Sequence, residues 1–276
     1  MELRIPPALV PGDRIGVISP ASPPKPEKHD QYQNGLAYLR GLGYKISEGK
    51  HVLDQYGYLA GTDESRAADL NAMFRNPRIK AIICSRGGYG TPRLLDLIDY
   101  EAVRKHPKIL VGYSDITSLQ LALFARTGLV TFSGPMVAVE MGKGILPFTE
   151  KHFWAMVGKS TRKLLKAGAG EYEPRICHGG VGEGRLLGGC LSLINPLIGT
   201  PYQPDFTGAV LVIEDIVEDV YGIDRYLVQL RYAGILERLS GLIFGQFLDM
   251  ESGEKSEPTL SLEEVLEKYT RDLNIP

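Results

Sequence analysis

"KILVGYSDITSLQLALF", residues 108–124, runs from an apolar, β-like stretch through Gly-Tyr-Ser-Asp into a helical pattern. An apolar run that stops at a turn and continues as a helix marks a parallel sheet, whose strands are buried on both faces and whose crossovers are helical. Ser114 and Asp115, at this junction, have two readings. A short oxygen-bearing side chain there can cap the helix by accepting hydrogen bonds from orphan backbone N–H groups. A serine raised on a strand–turn–helix elbow above a helix N-terminus can instead be a nucleophile.

Working outward, the same alternation recurs up to about residue 160. "RIGVIS" (14–19), "KAIICS" (80–85) and "GLVTFSG" (128–134) read as further buried strands. "TDESRAADLNAMFRN" (62–76) reads as a helix, with Thr62 as cap, Asp63 and Glu64 suiting the dipole, and Leu70, Met73 and Phe74 on one face. A helix is also predicted over 148–158, whereas the proline-rich "SPASPPKPEKHD" (19–30) reads as a loop after the first strand, where open α/β sheets commonly bind ligands. The glycine-rich stretch 166–184 breaks the periodicity and reads as a linker between a domain of residues 1–165 and a smaller one of 185–276. In the second domain, strands are expected at 209–215 and 241–247 and helices over 221–236 and 261–273. The fold class is α/β in both parts.

Composition narrows the function. A chain of 276 residues with 43% hydrophobic content can bury a sizeable core, and a formal charge of −2 without a polybasic cluster gives no field for nucleic acid or an anionic membrane. The N-terminal stretch carries Glu2, Arg4, Asp13 and Arg14 and no long apolar run, so neither a signal peptide nor a spanning helix is read, and the expected compartment is the cytoplasm. Cys84, Cys177 and Cys190 are odd in number and widely spaced, which suits reduced, buried thiols rather than a disulfide frame or a zinc site.

Two further stretches can carry chemistry. "CSRGGYGTPRLLDLI" (84–98) places Gly87, Gly88 and Gly90 directly after a strand, with Thr91 as a possible cap and Pro92 opening a helix. Bare backbone N–H groups in such a turn suit an oxyanion hole, a phosphate loop, or simply a tight turn with positive φ; neither G-x-G-x-x-G nor a Walker ending supports nucleotide binding. In "VLVIEDIVED" an apolar strand runs into Glu214 and Asp215, with Glu218 and Asp219 close behind. A carboxylate at a strand end can orient a histidine, join a hard-metal site, or lie in a solvated acidic loop.

Taken together, "GDRIGVISPAS", "SRGGYG", "GYSDIT", "SGPM", "GRLLGGCLSLINPLIGTPY", "VLVIED" and "YGIDRYLVQL", in that order, resemble the LD-carboxypeptidase (muramoyltetrapeptide carboxypeptidase) family of serine peptidases, which also contains microcin-immunity-type peptidases. The resemblance implies a flavodoxin-like N-terminal domain, a smaller swivelling-type C-terminal domain, and a Ser-Glu-His triad spread across both. Ser114 matches the nucleophile and Glu214 the acid, which favours the elbow over the cap. The N–H groups of Asp115 and Gly88 are the expected oxyanion donors, and Gly112 is expected to permit the sharp turn. Ile116 stands where the better-known G-x-S-x-G elbow has its second glycine.

The implied reaction is release of a terminal D-alanine from a murein tetrapeptide by hydrolysis of an L,D-peptide bond during cell-wall recycling, in a homodimer, with no metal or organic cofactor and no nucleic-acid or membrane partner. Arg86 and Arg185 are candidates for the substrate carboxylate. The resemblance places the triad histidine after one more strand beyond a segment like "DLNIP", so it is expected beyond Pro276 and the chain is expected to be truncated and nearly inactive. Of His29, His51, His106, His152 and His178, only His178 is a conceivable substitute. Two alternatives keep the cleft: a peptidase of aminoacyl-adenylate-like toxins, which calls for a base-stacking aromatic such as Tyr172 in place of the only tryptophan, Trp154, and a noncatalytic peptide- or nucleotide-binding protein.

Overall fold

Nearly continuous apolar runs become the inner strands of a five-stranded sheet in the computed structural model, which describes residues 2–158, 175–250 and 259–276. In chain order the first part comprises β1 (Arg14–Ile18), α1 (His29–Gly41), β2 (Lys45–Glu48), α2 (Asp63–Arg75), β3 (Ile79–Cys84), α3 (Tyr100–Lys105), β4 (Ile109–Gly112), α4 (Ile116–Thr127), β5 (Phe132–Ser133), α5 (Glu140–Lys143) and α6 (Pro147–Gly158). All pairings are parallel, in the order β2-β1-β3-β4-β5. That is the flavodoxin-like order, in which ligands bind beyond the carboxyl ends of the strands. One face of the sheet, built from Ile15, Val17, Ala81, Ile83, Ile109 and Val111, packs on Tyr32, Leu36 and Leu39 of α1 and on Phe153 and Val157 of α6. Thr62 caps α2 by accepting from the Ser65 N–H, and Leu70, Met73 and Phe74 are buried together as their spacing predicts.

The second part comprises β6 (Leu186–Cys190), α7 (Leu191–Ile194), β7 (Val210–Ile216), α8 (Val220–Tyr232), β8 (Gly241–Leu248) and α9 (Leu262–Thr270), with a parallel sheet in the order β6-β7-β8. The α9 helix opens on a capping box in which the Ser261 hydroxyl accepts from the Glu264 N–H and the Glu264 carboxylate accepts from the Ser261 N–H. The described residues form two compact units, 2–158 with 201–204, and 175–200 with 205–250 and 259–276. Residues 166–174 of the expected linker, including Tyr172, lie outside the described residues, while 175–180 line an apolar groove beside Leu242, Ile243 and Phe244 of β8 and Leu262 and Leu266 of α9.

Several local expectations change. The strand expected over 128–134 contracts to Phe132–Ser133, because the preceding residues are taken by the N-terminal segment: Arg4 donates its N–H to the Gly128 carbonyl and accepts from the Val130 N–H. Thr91 does not cap a helix; its hydroxyl donates to the Asp115 carbonyl, and Thr91–Leu97 forms a 3₁₀ stretch behind Gly90. Cys84 and Cys190 are buried but Cys177 is exposed. The short strand β6 is disguised by Gly188 and Gly189. A Cβ on Gly188 would lie 1.8 Å from the Val212 carbonyl oxygen, so close pairing with β7 requires glycine there. Among the described residues, no helix is long and apolar enough to cross a membrane.

Candidate active site

At the end of β4 the chain turns through Tyr113 and Ser114 into α4, and Ser114 takes φ 61°. A left-handed serine costs about 1–2 kcal/mol relative to ordinary backbone, and such strain concentrates at functional sites. The expected reason for Gly112 changes accordingly. Its φ is not positive; a Cβ there would lie 2.8 Å from the Ile116 side chain, so glycine serves the close approach of α4 while the sharp turn falls on Ser114. Ile116, in the position of the missing second glycine, is the residue that packs into this gap.

Neither Ser114 nor Asp115 caps α4 with its side chain. The Thr117 N–H is satisfied by the Ser114 carbonyl at 2.9 Å, and the Ser114 hydroxyl has no hydrogen-bond partner among the described residues. The Asp115 carboxylate, fully buried, accepts from the N–H groups of Gly90 at 3.2 Å and Thr91 at 2.8 Å. Burial pushes its carboxyl pKa up, against the hydrogen bonds from Thr91 and Gly90 and the nearby Arg66 charge. One aspartate thus fixes the glycine loop against the serine turn.

That loop is tightly confined. Gly88 has φ 118°, and a Cβ on it would sit 2.2 Å from the Ser22 hydroxyl; a Cβ on Gly87 would sit 3.3 Å from the Ser114 hydroxyl. Ser22 accepts from the Tyr89 N–H, and its own N–H donates to the Gly87 carbonyl. Beneath, the buried guanidinium of Arg66 donates to the carbonyls of Pro20 and Gly90 and pairs with Asp63, tying the loop after β1 to the glycine loop. The N–H groups of Gly88 and Asp115 have no partner within the protein among the described residues. Ser114, Asp115, Gly88 and Arg86 are therefore brought to one end of the first sheet. Sequence reading missed Ser22 and Arg66. Arginine four residues into a capped helix gives no hint of burial, whereas Ser22 lies in the post-strand loop already marked as a ligand-binding position.

In the second unit, successive residues of β7 face opposite sides of the sheet. Asp215 is buried and accepts from the Ser192 N–H at 2.7 Å, the Ser192 hydroxyl at 3.2 Å and the Cys190 thiol at 3.2 Å. Glu214 faces the other way, half-buried, with no hydrogen-bond partner among the described residues; burial, and then the Asp215 charge, push its carboxyl pKa up. Glu214 pairs in register with Cys190 at the carboxyl end of β6, while Arg185 precedes β6 at the other end, about 13 Å or more away by strand rise. Those two candidates are not neighbours. Glu218 accepts from the Tyr226 hydroxyl, and no cluster of three or more metal-ligating side chains occurs among the described residues.

The histidines of the first unit have other surroundings. His51 bonds Asp54, His152 packs on Phe148, His29 contacts Gln33 and Tyr32, and His106 ends α3. His178 lines the apolar groove of the second unit.

Residues 15–134 match the LD-carboxypeptidase N-terminal domain and residues 183–276 the LD-carboxypeptidase C-terminal domain. The chain belongs to the LD-carboxypeptidase family. A probable murein peptide carboxypeptidase of Bacillus subtilis is 44% identical over 266 residues, 96% of this chain and 81% of that protein. Among solved structures of the family's fold, the microcin C7 self-immunity protein MccF in its wild-type apo state superposes with TM-score 0.85 at 27% identity, covering 98% of this chain and 88% of that one. The muramoyltetrapeptide carboxypeptidase of Oxalobacter formigenes does so with TM-score 0.80 at 30% identity, covering 95% and 86%.

Proposed function

We propose that the protein is a serine-type carboxypeptidase that hydrolyses the L,D-peptide bond releasing terminal D-alanine from murein tetrapeptides, in the cytoplasmic recycling of wall fragments, as a homodimer. The observation that carries this reading is the left-handed Ser114, its hydroxyl free, between an α-helix N-terminus and a glycine loop with free N–H groups. Ser114 attacks the scissile carbonyl, and its hydroxyl proton passes to a histidine base and then to the leaving amine. The developing oxyanion is met by the N–H groups of Gly88 and Asp115, and water then breaks the acyl-enzyme by the same route. Glu214 is the acid that holds the histidine's tautomer and balances its charge. The free, partly desolvated carboxylate supports that role, since Asp215 beside it is fully occupied by hydrogen bonds.

The test is an assay of the protein on murein tetrapeptide, with D-alanine identified by mass spectrometry. Tripeptide and D-alanine in equal amounts are expected; an intact tetrapeptide would overturn the assignment. The second reading, cleavage of an aminoacyl-nucleotide toxin, is favoured by the likeness to MccF. Trp154 does not supply the stacking face that this reading needs, because its ring is stacked on Tyr44 at 5.3 Å and its N–H donates to the Tyr38 hydroxyl. Cleavage of an aminoacyl sulfamoyl adenosine at a rate matching the tetrapeptide would favour it.

A further inference from the structure

On the α1 side of the first sheet, beyond the end of β3, a cavity of about 230 Å³ is lined by Lys25, Lys28, Gln31, Arg86 and Lys143, with Ala138 and Val139. Four of these side chains are cations, and none is in an ion pair among the described residues. Like charges gathered without counter-charges repel, and in a chain of net charge −2 they form a local site for an anion. Glu140, the acid closest in sequence to Lys143, is already occupied: it accepts from the Tyr113 hydroxyl at 2.7 Å and from the Met136 N–H at 3.0 Å.

The cavity is built by the backbone. A Cβ on Gly142 would lie 2.1 Å from the Gln31 carbonyl oxygen, and one on Gly35 would lie 2.0 Å from the Val137 carbonyl oxygen. Two glycines therefore let α1 and the α5 segment touch, which brings Lys28 and Gln31 to Lys143. Residues 137 and 138 are fastened to the end of β3 by hydrogen bonds from the Val137 N–H to Cys84 and from the Ala138 N–H to Ser85. Two links join this cavity to the nucleophile. Arg86 precedes Gly87, whose α-hydrogen faces the Ser114 hydroxyl, and Tyr113, the residue before Ser114, is tied through Glu140 to α5.

We propose that this basic cavity receives the free carboxylate of the residue that the enzyme releases, with Arg86 and Lys143 as its principal partners. The inference rests on the carboxypeptidase reading above. An exopeptidase must distinguish a chain end from an internal residue, and a terminal carboxylate is the group that marks the end. A volume below the roughly 300–1,000 Å³ of sites for whole small-molecule ligands suits an end group rather than an entire peptide. Charge-assisted hydrogen bonds from a guanidinium and an ammonium would select a carboxylate over the isosteric amide.

The test is a binding measurement on the Ser114→Ala protein, which separates recognition from turnover. Murein tetrapeptide with a free terminal carboxylate is expected to bind roughly 10- to 100-fold more tightly than its C-terminal amide. That preference should shrink to less than about threefold in Arg86→Gln and in Lys143→Gln, and remain in a Lys45→Gln control, an exposed lysine on β2. Retention of the full preference in both cavity variants, or no preference in the parent, would overturn the proposal. Circular dichroism of each variant confirms folding, and Lys143→Gln, an exposed position, serves if Arg86→Gln is unstable. Should neither tetrapeptide bind, the murein reading fails, and N-acetyl-D-alanine decides for the cavity. Binding that Lys143→Gln abolishes would keep it as a carboxylate site, and no binding would remove it.

Discussion

The ends of β4 and β7 solve the same problem with different materials. Near the end of each strand stands a side chain with no hydrogen-bond partner among the described residues, followed at once by a buried aspartate that holds a neighbouring loop: Ser114 with Asp115, two residues past β4, and Glu214 with Asp215, among the last residues of β7. Each turn also contains a left-handed residue other than glycine, Ser114 at φ 61° and Val217 at φ 62°. The difference lies in where the strain sits. In the first unit it falls on the free group itself; in the second it falls three residues later, on a β-branched residue whose N–H is held by the Leu248 carbonyl at 2.9 Å. On the proposed roles, the strain under Ser114 would aim a nucleophile, whereas Glu214 sits where the pairing of β7 with β8 shifts register, between Ile213 and Asp215.

The largest expected effect tests the first turn. Ser114→Ala should lower turnover on murein tetrapeptide by on the order of a millionfold, as loss of a nucleophile does in comparable triads, with the fold intact by circular dichroism. Ser114→Gly should be equally inactive but more stable than Ser114→Ala, because glycine accepts φ 61° without the left-handed penalty. If residual activity of Ser114→Ala followed the folded fraction, the serine would be only a structural turn residue.

Next comes the second strand end. Glu214→Gln should cost on the order of 10⁴-fold in turnover, less than loss of the nucleophile. An unchanged rate would return Glu214 to the role of a solvated acid and leave the two strand ends alike only in shape.

The buried aspartates sharpen the comparison at an intermediate level. Asp115→Asn replaces one acceptor of the Gly90 and Thr91 N–H groups by a donor, so about 1–3 kcal/mol of stability should be lost. The accompanying shift of the Gly87–Gly88 loop should cost roughly a hundredfold in kcat, since small misplacements near reacting atoms have effects of that size. Asp215→Asn should lose similar stability, read as a lower urea midpoint. Equal kcat in wild type and Asp115→Asn would show that the loop is held without it.

The parts that sequence revealed are those with a repeating physical cause. Two-sided burial makes "RIGVI", "IKAIIC" and "ILVG" read as strands, and the Thr62 and Ser261 caps mark helix starts. Edge strand β2 hides because "KISE" is not a buried run, and β6 hides because its pairing with β7 demands glycine at 188. At the candidate site, the sequence shows Ser114 at a strand–turn–helix junction and Glu214 near a strand end, while the roles proposed for them come from the family resemblance. Arg66 was not legible, because its carbonyl partners, Pro20 and Gly90, are 46 and 24 residues away and no local pattern encodes them. The convergence of Lys25, Lys28, Arg86 and Lys143 was illegible for the same reason, since three separate segments meet there.

The smallest effect concerns the cost of keeping Glu214 unpaired. Burial raises its carboxyl pKa above the unfolded value of about 4.3. A carboxyl with a raised folded pKa favours the folded state fully below the unfolded pKa, and that contribution is lost as pH rises through the folded pKa, because the native protein then holds a charge it solvates poorly. Glu214→Gln has no such term. Relative to wild type, the variant should therefore gain thermal stability as pH rises above the unfolded value of about 4.3, with the gain levelling off once the wild-type carboxylate is fully ionised. The measurement is the difference in Tm between the two proteins across that range, in buffers of constant ionic strength. A difference independent of pH would mean that Glu214 titrates as it does in water, and the contrast between a free and an occupied carboxylate on β7 would lose its electrostatic half. A gain that follows the predicted direction would identify the stability cost of leaving this half-buried acid without a hydrogen-bond partner.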